Sequence, residues 1–501
     1  MSNILHTYTP RVKYRNVQGK PYVTVSAKGI SNGLSDTYND GADFGPDTML
    51  GATSPDQYGP PYTQTSGIQE AYNYGKIKYN NNYNGIFTIV LGEGIFVLNA
   101  DVNLSIGQSS TDTSRPQAVN IIGQGTWSTQ ILVNQPNLNG IVISNPSSDY
   151  SVEDTIFAYF SIDIAWGFPS SWGSTIINKV ASNPTGSGAN SAITYLCYSY
   201  GGQGTQLALI GIHMYTGNYN SGYGPTNGGI YIWGTVNVVA ISSAFAGDRS
   251  LALIGANSAL VGGSSNYDPA LYATFDGCFL GVSPNIYITG YMVNIIGSNV
   301  FGTINLNYNS TTEGLTTNVV IENSTLSGAN TILDLTDATV NFIKIHAVNI
   351  NIGGVPSVIT ASSATTAGIL DIRDVANTSG VPNLVNNVSF SEYIIEGFET
   401  VSGTAMALPT QSLTNGTTAG TVKMDAVIYR TSHKKYIITL NGYENDTTTN
   451  QTISFPLPFE FNFGTVINTT SLSISANNSE IIIVAPNSTT TYTGIIILEG
   501  Y

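Results

Sequence analysis

Acid–base chemistry in this chain would have to come from few groups, because only 9% of its 501 residues are charged. Glycoside cleavage is one chemistry such groups can do, and it needs two carboxyls ~5–9.5 Å apart with room for a sugar between them. The central carboxylates are Glu153, Asp154, Asp163, Asp248 with Arg249, Asp268, Asp276, Glu313 and Glu322. None falls on the same position of neighbouring repeats. Asp248, Asp268 and Asp276 stand as catalytic candidates without a paired acid, and Asp248-Arg249 reads as a turn with a local ion pair. The four histidines, His6, His213, His346 and His433, lie far apart without Cys partners, so no zinc site is expected. No other metal site and no cofactor are expected either.

Binding chemistry is better supplied. Two stretches are rich in aromatics, WGFPSSW with Trp166 and Trp172, and YTGNYNSGY with Tyr215, Tyr219 and Tyr223. Tyr267 lies in a third polar stretch. A flat apolar ring beside adaptable Asn and Ser hydrogen bonders is what recognition of a sugar or a protein uses. The bland alternative, rings that only pack their own loops, stays open for each residue taken singly.

Such loops need a scaffold, and the stretch from Leu207 to Gly328 shows one. An eleven-residue phrase recurs five times: LALIGIHMYTG, NVVAISSAFAG, LYATFDGCFLG, MVNIIGSNVFG and NVVIENSTLSG. The closing glycines Gly217, Gly247, Gly281, Gly302 and Gly328 are 30, 34, 21 and 26 residues apart. Self-similarity at that period marks stacked coils. Position two (Ala208, Val238, Tyr272, Val293, Val319) and position nine (Tyr215, Phe245, Phe279, Val300, Leu326) are apolar, as half-buried strands require. The pairs between them (Ile212-His213, Ser242-Ser243, Asp276-Gly277, Gly297-Ser298, Asn323-Ser324) are turn residues in four phrases of five. Each phrase thus reads as strand, tight bend, strand, closed by a glycine able to take φ > 0. One coil cannot bury its own apolar face, whereas coils stacked ~4.8 Å apart can. The expected fold is all-β: a right-handed parallel β-helix, with unequal loops on its coils.

The totals agree. Gly at 53, Tyr at 30 and few charges favour β structure with exposed hydroxyls and amides. A net charge of −15 argues against general nucleic-acid binding. No window resembles a membrane-spanning helix, and the first twenty residues lack a signal-peptide core. Cys197 and Cys278 are expected to be separate buried thiols, since three coils between them exceed the ~7 Å Cα reach of a disulfide.

Along the chain, residues 1–45 form a turn-rich arm carrying Arg11, Lys13, Arg15, Lys20 and Lys28, either a docking segment or a solvated leader strand. Residues 46–400 hold the β-helix, entered through a short amphipathic helix over Ser66–Tyr74 with Ser66 as N-cap and two strands bent at Gly92-Glu93-Gly94. Residues 401–420 read as a linker. Residues 421–501 alternate cleanly with short spacings and predict a small antiparallel β-sandwich.

The segment NDGADFGPDT, the Ile68-Gln69 pair on the helix and the strand–Gly–strand unit FTIVLGEGIFVLN resemble the entry to the pectate-lyase-like β-helix superfamily, as does VNIIGQGTWSTQILV after it. The resemblance is nearest to phage tailspikes and to fibre or spike proteins of viruses infecting hyperthermophilic archaea. NGYEN, ISFPLPF and GIIILEGY resemble a C-terminal domain of such fibres. This implies a virion-surface, extracellular protein that binds a host glycan or receptor. It also implies a homotrimer, contacts to other virion proteins through the arm, and no membrane insertion. The superfamily also holds lyases and hydrolases, so a tailspike enzyme acting on surface glycans is the alternative, and a cellular adhesin the second. The sequons at Asn309, Asn323, Asn387, Asn415, Asn445, Asn468 and Asn487 would then glycosylate a distal end.

Overall fold

A computed structural model describes residues 21–28, 41–79, 85–108, 113–133, 138–145, 154–164, 193–197, 206–215, 230–233, 237–246, 252–254, 270–281, 285–288, 290–306, 318–327, 332–335, 343–353, 357–379 and 383–400. It also describes eight strands between residues 413 and 500; from residue 391 onward, and in parts of earlier strands, the backbone alone is described. The chain divides into two compact units, Met1–Thr316 and Thr317–Tyr501.

In the first unit each coil lays one strand on each of three faces. The first face stacks Ile86–Leu91, Ala118–Ile122, Thr155–Ala158, Gln206–Ile210, Asn237–Ile241, Ala270–Asp276 and Gly290–Ile296, with Tyr22–Val25 ahead of them. The second runs from Gly94–Leu98 to Asn299–Val300, and the third from Val102–Ser105 to Thr303–Leu306. All of these pairings are parallel, so the fold is a parallel β-helix.

Registration explains why the sequence winds this way. Ile89, Ile121, Phe157, Leu209, Ala240, Phe275 and Ile295 are in-register partners up the first face, and all are buried. Phe96, Ile131, Ile162, Met214, Phe245, Leu280 and Val300 do the same on the second. Each buried ring or branched side chain contributes ~1.5–3 kcal/mol relative to exposure.

The repeat seen in the sequence is real, but its columns shift by one residue. Leu207 pairs with Val238, and Val238 with Ala273, so Ala208 and Tyr272 are not the partners of Val238. At position nine, Met214 and Leu280 fill the interior where Tyr215 and Phe279 were expected, and Phe279 is 38% exposed. The closing glycine misled the alignment: Gly281 has no positive φ, whereas the bends do. The bend residues are Tyr159, Gly211, Ser242, Gly277 and Gly297, all at φ between 48° and 60°. The first phrase therefore bends at Gly211-Ile212 rather than at the unturn-like Ile212-His213.

After each bend residue the next side chain points into the corner: Phe160, Ile212, Ser243, Cys278 and Ser298 are buried. The hydroxyls satisfy the bend's own backbone. Ser243 Oγ accepts from Ile212 N and lies within bonding distance of the Leu209 and Ile241 carbonyls. Ser298 Oγ accepts from Cys278 N and reaches the Phe275 and Ile296 carbonyls. Cys278 is a free buried thiol in the same ladder, directed at the Ala240 and Asp276 carbonyls. Burial pushes its pKa up to about 11.

The helix Ile68–Tyr79 lies across the open end of the first coil. Ile68 and Ala71 are buried, Tyr72 Oη donates to the Ser105 carbonyl, and Gln69 bonds the Asn103 backbone. Gly75 is required here, since a Cβ would come within 2.3 Å of the Phe87 ring. Ser66 is not the N-cap. Its hydroxyl exchanges hydrogen bonds with the Val97 backbone, while Thr65 Oγ1 accepts from Gln69 N. Buried Glu70 is held by Gly51 N and by the Thr63 and Thr65 hydroxyls.

The second unit is also coiled, with longer strands. Asn318–Glu322 pairs with the first half of Lys344–Gly353, which pairs with Ser357–Ser379, which pairs with Asn383–Thr400, all parallel. Its bends are Asn323, Asn349 and Asp374, with φ of 50° to 52°. Asn349 Nδ2 donates to Asn323 Oδ1 at 2.7 Å, an amide ladder on the outside of the corner. Inside stand Ser324, Ile350 and Val375. Beyond them come two antiparallel sheets, one of five strands built around Thr421–Ser432, Lys435–Tyr443 and Thr491–Gly500, and one of three built around Glu480–Ala485.

Candidate functional site

Outward positions alternate with the core on every strand. On the first face of the first unit they are largely aliphatic: Ile122, Ala158, Ala208 and Ile210 form a buried cluster with Ile156 and Tyr159 packed on it. Asp276 sits on this side, but its in-register partners are Ile241 and Ile296, so neither stacked neighbour is an acid. Asp154 is used structurally: its Oδ1 accepts from Gln206 N of the next coil, and burial raises its pKa against that bond. Glu153, Asp248, Arg249, Asp268 and Glu313 lie outside the described residues.

The most exposed aromatic among the described residues, ahead of Tyr58, Tyr62 and Phe279, is Trp127, which the sequence reading passed over within VNIIGQGTWSTQILV. Its turn is tightly held. Thr129 N and Ser128 N donate to the Gly125 carbonyl, and Thr126 Oγ1 donates across two coils to the Gly211 carbonyl at 2.6 Å. The indole is 66% exposed, and it leans on the His213 ring with centroids 4.5 Å apart. Burial lowers the pKa of His213, so the ring beneath is neutral at pH 7. His213 is in register with Ser161. His213 Nδ1 and Ser161 Oγ are buried without a hydrogen-bond partner among the described residues. The result is a rigid aromatic face over a polar floor.

A second outward site stands in the second unit. Lys344 and His346 share a face of one strand; Asp371 and Arg373 share it on the next, where His346 is in register with Asp371. The Asp371 side chain is 8% exposed. His346 Nδ1 is 3.1 Å from Asp371 Oδ2, Arg373 Nε donates to Oδ1 at 2.8 Å, and Arg373 Nη2 reaches Oδ2 at 3.3 Å. Burial by itself would raise the Asp371 pKa, but the hydrogen bonds and charges of Arg373 and His346 outweigh it and hold the carboxyl below its ordinary value. An ionised carboxylate can only accept, so His346 Nδ1 carries the proton and Nε2 is left as the outward acceptor. Glu322 lies two coils away in the Arg373 column, and Glu392 and Glu396 are in register with Ile369 and Arg373.

This cluster was missed although its segments were read as coils. The signal was the alternation in KIHAV and ILDIR, which puts each charged pair on one strand face. Of the expected ligand-binding residues, Tyr215 ends the strand His213–Tyr215, with only its backbone described. Trp166, Trp172, Tyr219, Tyr223 and Tyr267 lie outside the described residues. Of the sequons, Asn323 and Asn387 are exposed at positive φ, and Asn387 Nδ2 donates to the Ala361 carbonyl. Asn468 ends a strand, while Asn309, Asn415, Asn445 and Asn487 are outside the described residues. Among the described residues there is no cluster of three metal-ligating side chains, and no helix is long and apolar enough to cross a membrane.

No protein-family model and no curated protein matches the sequence. Among solved structures the chain is similar to a tailspike protein, gp49 of Acinetobacter baumannii bacteriophage Fri1, a capsular polysaccharide depolymerase. The identity is 9%, covering 87% of this chain and 82% of that one, with a TM-score of 0.36. It is also similar to the Agl-KA catalytic domain, at 14% identity over 66% of this chain and 64% of that one, with a TM-score of 0.28.

Proposed function

We propose that this chain is a glycan-recognising fibre or spike protein of a virion surface, using its coils as a shaft that displays rigid aromatic faces. The observation that carries this reading is Trp127. An indole left two-thirds exposed on a turn stapled to a coil further along is pre-organised to receive a flat ligand, and a pyranose ring is such a ligand. In this reading residues 1–45 dock to other virion proteins and the chain acts as a homotrimer. The test is a glycan-array screen of the full chain, followed by Trp127→Ala. The variant is expected to bind its best glycan about tenfold more weakly with unchanged melting, the size of one lost aromatic contact. Unaltered affinity would sink the reading.

A second reading, a tailspike-type enzyme cleaving surface glycans, is favoured by one observation. The Asp371–His346 pair leaves Nε2 outward as a proton acceptor, beside positions that carry further carboxylates. Release of reducing ends from a bound polysaccharide, abolished in His346→Gln, is the expected result. Intact polysaccharide after prolonged incubation with the wild-type chain rules the reading out.

A further inference from the structure

We infer that Phe279 is a second sugar platform in line with Trp127, and that the ligand is an uncharged, extended glycan of at least three units lying along the coil axis. The inference rests on the reading of Trp127 as a sugar platform and goes on to name what that platform takes. One outward column of the second face carries it. Gln130, Ser161, His213, Ala244, Phe279 and Asn299 are in-register partners coil after coil, and they alternate with the buried column beside them.

Trp127 and Phe279 are the exposed rings on this face. The Trp127 indole leaves the coil of Gln130 and reaches the His213 ring two coils on, across the coil of the wholly buried Ser161. Phe279 follows His213 by two further ladder steps, ~10 Å. Between them stands Ala244, with Ala246 as the next outward residue of its strand, so the column is low there. Phe279 is laid along its own strand. Its ring leans on Phe301, with centroids 5.4 Å apart, and lies over Gly281, where a Cβ would come within 2.9 Å of Phe279 Cε1. A ring held down in this way offers its other face to a ligand, and Phe279 is 38% exposed.

The spacing sets the ligand's length. In an extended, cellulose-like chain each sugar advances by about one ladder step. A sugar on the indole and a sugar on Phe279 then leave one unit over Ala244. A coiled, amylose-like chain turns away from that line. Asn299, exposed next to Phe279 in the column, supplies a side-chain amide with no partner among the described residues. Charge sets the rest. Asp163 is the one Asp, Glu, Lys or Arg in the seven described strands of this face, and it is buried. Burial keeps His213 neutral. A face without a cation, on a chain of net charge −15, suits a neutral ligand and not a polyanion.

The experiment uses the full chain and two neutral extended series, cello-oligosaccharides and N-acetylchito-oligosaccharides, each from disaccharide to pentasaccharide. Maltotetraose is the coiled control and a hyaluronan tetrasaccharide the anionic one. In one of the extended series wild type is expected to bind the trisaccharide and longer members about tenfold more tightly than the disaccharide, the size of one added aromatic contact. It should also prefer the tetrasaccharide of that series to both controls. Phe279→Ala should lose the gain with length and keep wild-type affinity for the disaccharide, whereas Phe279→Tyr should retain the gain. Ala244→Arg, which fills the low point and leaves both rings in place, should lose the gain too, a second route should Phe279→Ala melt early. Disaccharide binding that depends on Trp127 but shows no gain with length would overturn the second platform and leave the reading of Trp127 intact. A gain that persists in Phe279→Ala and Ala244→Arg, or equal affinity for either control, would also overturn it. Binding of neither series would overturn the inference, and the array screen decides separately whether Trp127 takes another glycan. Light scattering adds a last outcome: if Phe279→Ala dissociates copies of the chain and leaves the gain with length unchanged, the face joins copies and the inference fails.

Discussion

The corners of the two units solve one problem with a different emphasis. Each coil must turn from its first to its second face through a single left-handed residue, and that turn breaks the regular strand ladder. In the first unit the outside of the turn is mostly glycine or serine, and the repair comes from inside, from Ser243, Cys278 and Ser298 reaching the carbonyls of adjacent coils. In the second unit the outside is Asn323, Asn349 and Asp374, and the repair includes a side-chain amide ladder in solvent; Ser324 still bonds the Glu322 carbonyl inside the first of these corners, whereas Ile350 and Val375 fill the next two. A buried hydroxyl is costly to lose, because the groups it serves have no water to turn to. An exposed amide is cheap to lose. The first design should therefore be brittle at its corners and the second tolerant.

Ser243→Ala breaks the comparison most directly. It strands Ile212 N in a dry corner and should destabilise the first unit by ~1–3 kcal/mol, read as an earlier thermal or denaturant transition. Next comes Asp371→Asn, which removes the charge that gathers Arg373 and His346. With both partners partly exposed, ~1–2 kcal/mol is expected, read as faster hydrogen exchange over Lys344–Gly353.

Acid sharpens the contrast. The folded pKa of Asp371 is lowered, so its contribution is present above the unfolded value of ~3.9 and is lost as pH falls through the folded one. Burial raises Asp101 and Asp154 in the first unit, against hydrogen bonds from Asn139 and Gly140 and from Gln206 respectively, so their burden is relieved over the same descent. His213, lowered by burial, acts earlier and in the other direction: its stabilising effect is present above ~6.5 and fades below it. Hydrogen exchange between pH 5 and pH 3 should thus rise around Asp371 and not around Asp101 and Asp154. A uniform rise in both units would contradict this.

Two substitutions should do little. Asn349→Gly keeps the left-handed bend while deleting the ladder bond, for ~0.5 kcal/mol or less. Cys278→Ser restores a hydroxyl aimed at the same two carbonyls and should fall within about ±0.5 kcal/mol by melting. A large loss in either would mean that the inside–outside distinction does not govern these corners.

The coil architecture was legible because burial imposes a period of two on each strand, and that pattern survives loops of any length. The exact register was not. Closing glycines are conspicuous in text, but the physics that fixes the coil sits at Tyr159, Gly211, Ser242, Gly277 and Gly297, where φ is positive and three different residue types can serve. Thr65 and Ser66 both suit a helix cap, and only the nearness of Val97 decides between them. The outward sites were harder still. Trp127 is a single aromatic among turn residues, and its meaning depends on His213, 86 positions later in the chain and beneath it in space. Asp371 meets His346 only because two strands stack in one register, a relation that local composition does not encode.

The pairing distances along the chain carry a last consequence. Phe157 meets its partner at Leu209, whereas Phe275 meets its partner at Ile295, yet both sit in the same stack. The rise of a coil is set by the strand ladder and is indifferent to how much chain wanders between faces. Selection on what the surface presents is thereby uncoupled from selection on what holds the coils together. A lineage could lengthen, shorten or exchange its excursions between coils while inheriting the same column, and change the surface it presents without relearning how to fold.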